Sequence, residues 1–289
     1  MNKYIQTYMT AAEYEAGTKE NPNVSFVEET YKLYYNGEEH QLPIPPSKMY
    51  LTFKAIDSGT FSFSNSINYS LDDGQNWVSL ASNTATPTVS AGSKIMWKAS
   101  GLTPDLNNGI GTFSSTGQFE VMGNAMSLVS GDSFSEATTV ANYQFIHLFN
   151  GCTGLSSAEN LSLPATTLAQ YCYSEMFFNC TSLTKAPELP ALALANGCYD
   201  NMFRACSSLT KAPELPATTL TNQCYLMMFY GCTNLNMITC LATDISQDQS
   251  TFMWLDSVAS TGTFVKNASM TSWPTGADGI PTGWTVVDA

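Results

Sequence analysis

The cysteines are the side chains of this sequence best suited to chemistry. All eight lie between positions 152 and 240, and within a repeated unit they stand eight residues apart, as Cys172 and Cys180 do. On a helix that separation corresponds to about 12 Å, beyond the roughly 7 Å that a disulfide can span. Structural zinc sites use more closely spaced pairs. We therefore predict buried free thiols that pack as small apolar side chains, with some disulfides as the second interpretation and a metal site as the third.

Seven of the cysteines fall into two columns when the repeats are aligned. The first column holds Cys152, Cys180, Cys206 and Cys232, and the second holds Cys172, Cys198 and Cys224. Cys240 falls outside both, because the matching position in the preceding copy is Glu214. Cys240 is accordingly predicted as the exception that reacts or pairs.

Histidines and acids give little support for catalysis. Only His40 and His147 are present; His147 aligns with Ser174 on a variable, solvated face, and His40 stands beside acidic residues near the surface. No triad spacing is recognisable, and no carboxylate pair for glycoside hydrolysis can be chosen among the 24 acids. We predict a protein that is not an enzyme, with no catalytic residue, cofactor or metal.

Four charged residues recur at matched positions in two repeats: Lys185 and Glu188 in one, Lys211 and Glu214 in the next. The simplest interpretation is solvent-side pairing on stacked strands, worth about 0.2 to 1 kcal/mol per pair. These four are also our candidate binding residues on the repeat surface.

A turn motif occupies residues 70–77, Ser-Leu-Asp-Asp-Gly-Gln-Asn-Trp. It is similar to the Asp-box of sialidase-like propellers, in which the Asp binds turn amides and the Trp packs beneath. Because it occurs once, it predicts a structural hairpin; a carbohydrate site is the second interpretation.

An internal repeat with a period of 26 organises the second half of the chain. The segment Cys172–Cys180 recurs at 198 and 224, an earlier copy near Phe145 is offset by 28, and a degenerate fifth copy starts at Ser250. Leu168, Cys172, Met176 and Cys180 follow one another at steps of four, which predicts one apolar helical face. The prolines that follow favour an extended segment, so each unit is predicted as helix, turn and strand.

The pattern Met-Phe-x-x-Cys-x-x-Leu followed by Leu-Pro resembles leucine-rich repeats of the BspA-like kind, over about residues 143–260. That resemblance implies a helix-plus-strand solenoid of about five 26-residue units, and an occurrence in surface and phage-associated proteins of gut bacteria. This chain departs from the pattern in its second cysteine per unit and in its Ala-Pro-Glu-Leu-Pro segment.

Four regions follow from these patterns. We predict an N-terminal arm at 1–48, a small antiparallel β-sandwich at 49–130, the solenoid at 131–265 and a C-terminal cap at 266–289. The sandwich is predicted from short alternating segments between Gly-containing turns. The fold class is thus mixed α and β.

Charge and hydropathy disfavour two classes of partner, nucleic acid and the membrane interior. The net charge of −13 disfavours nucleic acid, and no apolar run is long enough to insert into a membrane. We expect a surface-recognition or structural protein that binds a bacterial surface glycan or protein. The resemblance and the lack of a leader favour an appendage or decoration protein on a virion or phage-tail-like particle, with residues 1–48 contacting the particle or another copy. An exported bacterial adhesin whose signal was removed is the second hypothesis, and a glycan-active enzyme the third.

Overall fold

The structure is a computed structural model that describes residues 24–27, 32–35, 38–41 and 44–289. The chain divides into two compact units, residues 1–45 and 46–289. In the first unit, strands β1 (Val24–Val27), β2 (Lys32–Tyr35) and β3 (Glu38–Gln41) form an antiparallel sheet in that order. His40 lies in β3, paired with Leu33 of β2.

The second unit begins with short strands that build a mixed sheet. The strands are β4 (Leu51–Ala55), β5 (Phe61–Phe63), β6 (Ile67–Ser70), β7 (Val78–Leu80), β8 (Lys94–Lys98), β9 (Phe113–Ser115), β10 (Phe119–Asn124) and β11 (Leu155–Ser162). Six of them pair in the order β11-β10-β4-β8-β6-β7, and β5 pairs with β9. Strand β11 belongs to the repeats and pairs in parallel with β10, so the sheet is joined directly to the repeats.

Alternating apolar residues place aromatic rings between these two sheets. Phe53 of β4 contacts Phe61, Phe113 and Phe119 at ring-centroid distances of 5.3, 4.8 and 4.8 Å. All four rings are buried. The alternating segments at 49–55, 59–64, 67–71, 77–80 and 94–99 contain β4, β5, β6, β7 and β8. The segment at 118–122 covers most of β10, and β9, with Phe113 as its one apolar residue, was not predicted.

Helix is scarce in the described residues. A single α-helix, α1 (Ser127–Ser130), continues into a 3-10 helix (Gly131–Glu136), and a short 3-10 turn spans Pro46–Lys48. No helix among them has the length and apolar character needed to cross a bilayer.

The predicted helix-plus-strand solenoid is therefore wrong. The repeat segments expected to be helical are successive turns, and strands within the repeats are limited to β11, β12 (Met237–Cys240) and β13 (Thr263–Lys266). Strands β12, β13 and the C-terminal β14 (Thr285–Asp288) form a short parallel sheet, and the largest sheet is the mixed one described above. Neither is the regular strand face that the resemblance implied.

Backbone hydrogen bonding explains why no helix forms. In the copy that contains Cys172, alternate N–H groups donate to the carbonyl three residues earlier, as Met176 does to Tyr173. The N–H groups between them donate to the next copy, as Phe177 does to Met202 at 2.9 Å. A helix would need each N–H to bind the carbonyl four residues earlier. Half of the donors thus join neighbouring copies instead.

The turns also require a left-handed residue at every fourth position. In the same copy Tyr171, Glu175 and Asn179 have φ values of 51°, 51° and 58°. Successive turns of four residues reproduce the four-residue apolar spacing of a helix without its hydrogen bonds. The apolar face was therefore assigned correctly to the core, but its backbone was not.

Matched side chains of neighbouring copies lie one above another. The rings of Phe149, Phe177, Phe203 and Phe229 are nearly parallel, with successive centroids 5.4, 5.3 and 5.5 Å apart. The apolar core is one cluster that extends from Leu51 to Trp284.

Candidate functional site

An open cleft of about 800 Å³ is lined mainly by two neighbouring copies of the repeat. Its walls are the identical segments Lys185–Pro190 and Lys211–Pro216, each Lys-Ala-Pro-Glu-Leu-Pro, and we call it the KAPELP cleft. We number the copies by their strand segments, so that the first contains Glu159, the second Lys185, the third Lys211 and the fourth Met237. The remaining lining residues are Glu159, Thr184, Thr210 and Thr239.

The cleft exists because the backbone ladder between copies is interrupted there. Parallel bridges join the first copy to the second (Ser157 with Lys185) and the third to the fourth (Lys211 with Met237, and Leu215 with Cys240). In the part of the chain that the structure describes, no backbone hydrogen bond joins 184–190 with 210–216. The two KAPELP segments therefore face each other as unpaired edges.

Proline explains where the interruption falls. Pro187 and Pro190 on one wall, and Pro213 and Pro216 on the other, lack the N–H that a ladder needs, and proline belongs at sheet edges. The fourth copy has Met-Ile-Thr-Cys in β12, and the first has no proline before Pro164. Between the second and third copies, two segments that each contain two prolines meet, whereas the first copy contributes only Pro164.

All four residues predicted to bind, Lys185, Glu188, Lys211 and Glu214, line the KAPELP cleft and are exposed. Their pairing differs from the expected ladder, because Lys185 Nζ binds Glu159 Oε2 of the preceding copy at 2.6 Å. Within the described residues, Lys211, Glu188 and Glu214 form no ion pair. Sequence reasoning missed Glu159, although it stands one full repeat period before Lys185.

A second groove of about 400 Å³ continues the cleft toward β11. It shares Glu159, Glu188 and Pro190 with the KAPELP cleft and adds Leu163 and Pro46 to the lining. A ligand longer than the cleft thus has a continuous surface on which to extend.

The cysteines are all buried and free, as predicted. In the first column each thiol donates to a phenylalanine carbonyl of the neighbouring layer; Cys206 Sγ lies 3.1 Å from Phe177 O, and Cys232 Sγ 3.0 Å from Phe203 O. Burial raises the pKa of Cys152 and Cys232 to about 12. Among the described residues no group of three metal-binding side chains forms.

Cys240 is not the predicted exception. Cys240 forms a backbone bridge with Leu215, and Met237 forms one with Lys211. Cys240 and Leu215 are one residue closer together in the chain than Met237 and Lys211 are. Cys240 therefore occupies the position of a core leucine. It is fully buried, and that burial raises the pKa of its thiol to about 12. A one-residue deletion in the fourth copy produced the misalignment.

The structure also corrects the expected position of His147. Its left-handed φ of 61° matches that of Glu175, not Ser174, and His147 Nε2 lies 3.2 Å from Glu175 Oε2. The hydrogen bond with Glu175 raises the pKa of His147 above its usual value. In the next copy, burial and the charge of Glu175 raise the pKa of Asp200 to about 6.

The motif at 70–77 is a hairpin turn between β6 and β7, as predicted. Ser70 Oγ donates to Asp72 Oδ1 at 2.7 Å, and Asp72 Oδ1 accepts from Asn76 N at 2.9 Å. These hydrogen bonds, led by the one from Asn76, lower the pKa of Asp72 to about 2. Trp77 packs edge-on against Tyr50, with Lys98 Nζ 4.3 Å from its ring centroid. The indole is therefore engaged in packing.

Comparisons of this chain with protein-family models, with curated proteins and with solved structures found no match.

Proposed function

We propose that this protein is a non-enzymatic recognition protein that binds an extended polymer of a bacterial surface in the KAPELP cleft. The observation that carries the proposal is the alignment of Lys185, Glu188, Lys211 and Glu214 along one open cleft of about 800 Å³. That volume lies within the range of roughly 300 to 1,000 Å³ that is typical of ligand sites.

The shape and chemistry of the cleft favour a long polar ligand. Both walls repeat the same order of charges, and the adjoining groove extends the surface beyond them. Matched positions on successive copies let one polymer make similar weak contacts several times, and such contacts add.

We further propose that the protein is an appendage or decoration protein of a phage or phage-tail-like particle. Residues 1–45 form a compact unit separate from the one that bears the cleft. This division supports an arrangement in which the N-terminal unit attaches to the particle while the KAPELP cleft meets the bacterial surface.

A binding assay on whole bacteria and isolated envelope polymers tests the proposal. We expect the full chain to bind, and the variant Lys185→Ala with Lys211→Ala to lose at least tenfold in affinity. The control, Lys54→Ala with Lys94→Ala, removes the same charge from β4 and β8 and should bind normally. Equal binding by the cleft variant and the full chain would contradict the proposed site. Detection of the protein on the cell envelope and not on particles would favour the adhesin hypothesis.

A further inference from the structure

We infer that the KAPELP cleft takes an extended polypeptide segment, which adds as a parallel strand to the unpaired edge of the second copy. The inference rests on the proposed function and names its ligand class. The segment carries an acidic residue beside Lys185 and Lys211, and a basic residue two positions later beside Glu188 and Glu214.

The first argument is a pair of backbone donors without a partner. In the third copy, Ala212 N and Leu215 N donate to Met237 O and Thr239 O, each at 2.9 Å. Ala186 and Leu189 are their counterparts in the second copy, and within the described residues their N–H groups bind no acceptor. Both belong to the lining of the cleft. Unpaired edge groups of this kind are the usual template for strand addition.

The opposite wall repeats the interruption. Asn236 N donates to Thr210 O at 3.0 Å, whereas in the described residues Thr210 N makes no such bond to the second copy. Within the described residues neither wall thus donates a backbone hydrogen bond to the other.

Strand β12 shows what the missing partner looks like. It is a short extended segment, Met-Ile-Thr-Cys, that lies parallel to a KAPELP segment and accepts its two bonds through carbonyls two residues apart. The second copy offers the same KAPELP edge without such a strand. An extended peptide presents carbonyls at that spacing, because alternate carbonyls of a strand point to the same side.

Charge sets the register of the peptide. Every isolated bridge that joins two copies of the repeat is parallel, which favours a parallel peptide. Lysine precedes glutamate by three residues on both walls, but β12 passes the same stretch with one residue fewer, because Met237 bridges Lys211 and Cys240 bridges Leu215. Thr239, two residues after Met237, is therefore the β12 residue beside Glu214. A parallel peptide therefore matches the cleft when its acidic residue precedes its basic residue by two, a spacing that also places both side chains on one face of the peptide strand.

A pair of peptides built on the β12 sequence provides the test. The matched probe is acetyl-Asn-Glu-Ile-Lys-Ala-Leu-amide, in which Glu and Lys take the places of Met237 and Thr239, and the reversed probe exchanges its Glu and Lys. We expect the full chain to bind the matched probe at least tenfold more tightly. In the variant Lys211→Glu with Glu214→Lys, one wall is reversed at exposed positions, and the preference should fall to near onefold.

Hydrogen exchange reports the backbone contact directly. With saturating matched probe, exchange of the Ala186 and Leu189 amides should slow at least tenfold, while that of Ala212 and Leu215, already bonded to β12, should stay unchanged. Failure of the matched probe to bind, unchanged exchange at Ala186 and Leu189, or equal affinity for both probes would overturn the inference. If an envelope glycan binds with dependence on Lys185 and Lys211 while the probes do not, strand addition is wrong and the proposed recognition function stands.

Discussion

At the scale of single residues, the first-column cysteines combine small volume with one weak donor. Cys180 Sγ lies 3.1 Å from Phe149 O, so the thiol joins two copies at a point where an alanine would leave the carbonyl without that donor. An ionised thiolate would be unstable at these buried positions, because desolvation penalises the charged form. The same burial that makes these residues structural makes them inert.

Alkylation with iodoacetamide at pH 8 should accordingly label less than one thiol per native chain. The thiolate is the reactive form, and the pKa values of about 12 at Cys152, Cys232 and Cys240 leave almost none of it. After unfolding in guanidinium, all eight should react, as counted by mass spectrometry. Rapid labelling of Cys240 in the native chain would contradict its burial.

Asp200 should make stability depend on pH between about 4 and 6. Because its folded-state pKa of about 6 exceeds the ordinary value of 3.8, the folded state binds the proton more tightly. Its contribution is therefore most favourable at low pH, and it falls as pH rises from the unfolded to the folded pKa. Asp200→Asn should remove this pH dependence of the free energy of unfolding. It should also raise the free energy of unfolding at pH 7 by roughly 1 to 3 kcal/mol.

Urea denaturation at a series of pH values measures this effect. Asp248→Asn, at an exposed acid of the repeat region, is the matched control for the loss of one negative charge. A parallel downward shift of the Asp200→Asn profile, with its pH dependence retained, would show that the carboxyl is not the titrating group.

At the scale of elements, the four-residue turns depend on left-handed residues at matched positions. One such column contains Asn179, Ala205 and Gly231, with φ values of 58°, 62° and 75°. Alanine is strained in this region, whereas glycine is not. The hydrogen bonds that these N–H groups donate to the next copy offset the strain.

Exchanging the two residue types within this column should move stability in opposite directions. Ala205→Gly should stabilise the protein by about 0.5 to 1 kcal/mol, and Gly231→Ala should destabilise it by about 1 to 2 kcal/mol. A Cβ at Gly231 has room, since its nearest neighbour lies at 3.8 Å, so strain alone is measured. At Gly197 a Cβ would collide with the Tyr171 ring, so Gly197→Ala should destabilise the protein more than Gly231→Ala does. Thermal unfolding of the three variants measures these changes in stability. A stabilising effect of Gly231→Ala would contradict the left-handed turn.

The sequence predicted which residues of each repeat are buried but not the backbone that buries them. Leu168, Cys172 and Met176 satisfy both a helix and a series of four-residue turns, because each period returns a side chain to the same face. Tyr171 and Glu175 gave no sign of a left-handed conformation, since neither is a residue type that favours it. Their conformation is fixed by bonds to the next copy, which no local pattern reveals.

The candidate site was predictable in its residues and not in its shape. Recurrence with the repeat period identified Lys185, Glu188, Lys211 and Glu214. The cleft itself depends on which neighbouring copies contain proline, and thus on a contact between segments distant in the chain. Cys240 was misplaced for a similar reason, because a one-residue deletion changes its alignment with Leu215.

At the scale of the whole molecule, the sheets and the repeats share one core. Phe53 of β4 contacts Phe149 at 5.9 Å, and Phe149 begins the column that passes through Phe177 and Phe203. The parallel pairing of β10 with β11 adds a backbone connection at the same place. Residues 46–289 should therefore unfold as one cooperative unit.

Two distant core substitutions test this cooperativity. Phe53→Ala in the sheet and Phe203→Ala in the repeats should each lower the free energy of unfolding by about 3 to 5 kcal/mol. Both should move a single transition, seen together by tryptophan fluorescence and by far-ultraviolet circular dichroism. Two separate transitions, each shifted by only one of the variants, would show that the region predicted at 49–130 folds independently of the repeats.

The duplicated KAPELP segment also has a genetic consequence. Residues 183–191 and 209–217 carry the same nine amino acids, Leu-Thr-Lys-Ala-Pro-Glu-Leu-Pro-Ala, so misaligned recombination between them would insert or excise one complete repeat unit without disturbing the stacking on either side. A descendant with three such units would have two clefts, and one with a single unit would have none. The number of clefts in such a lineage would change in whole-number steps.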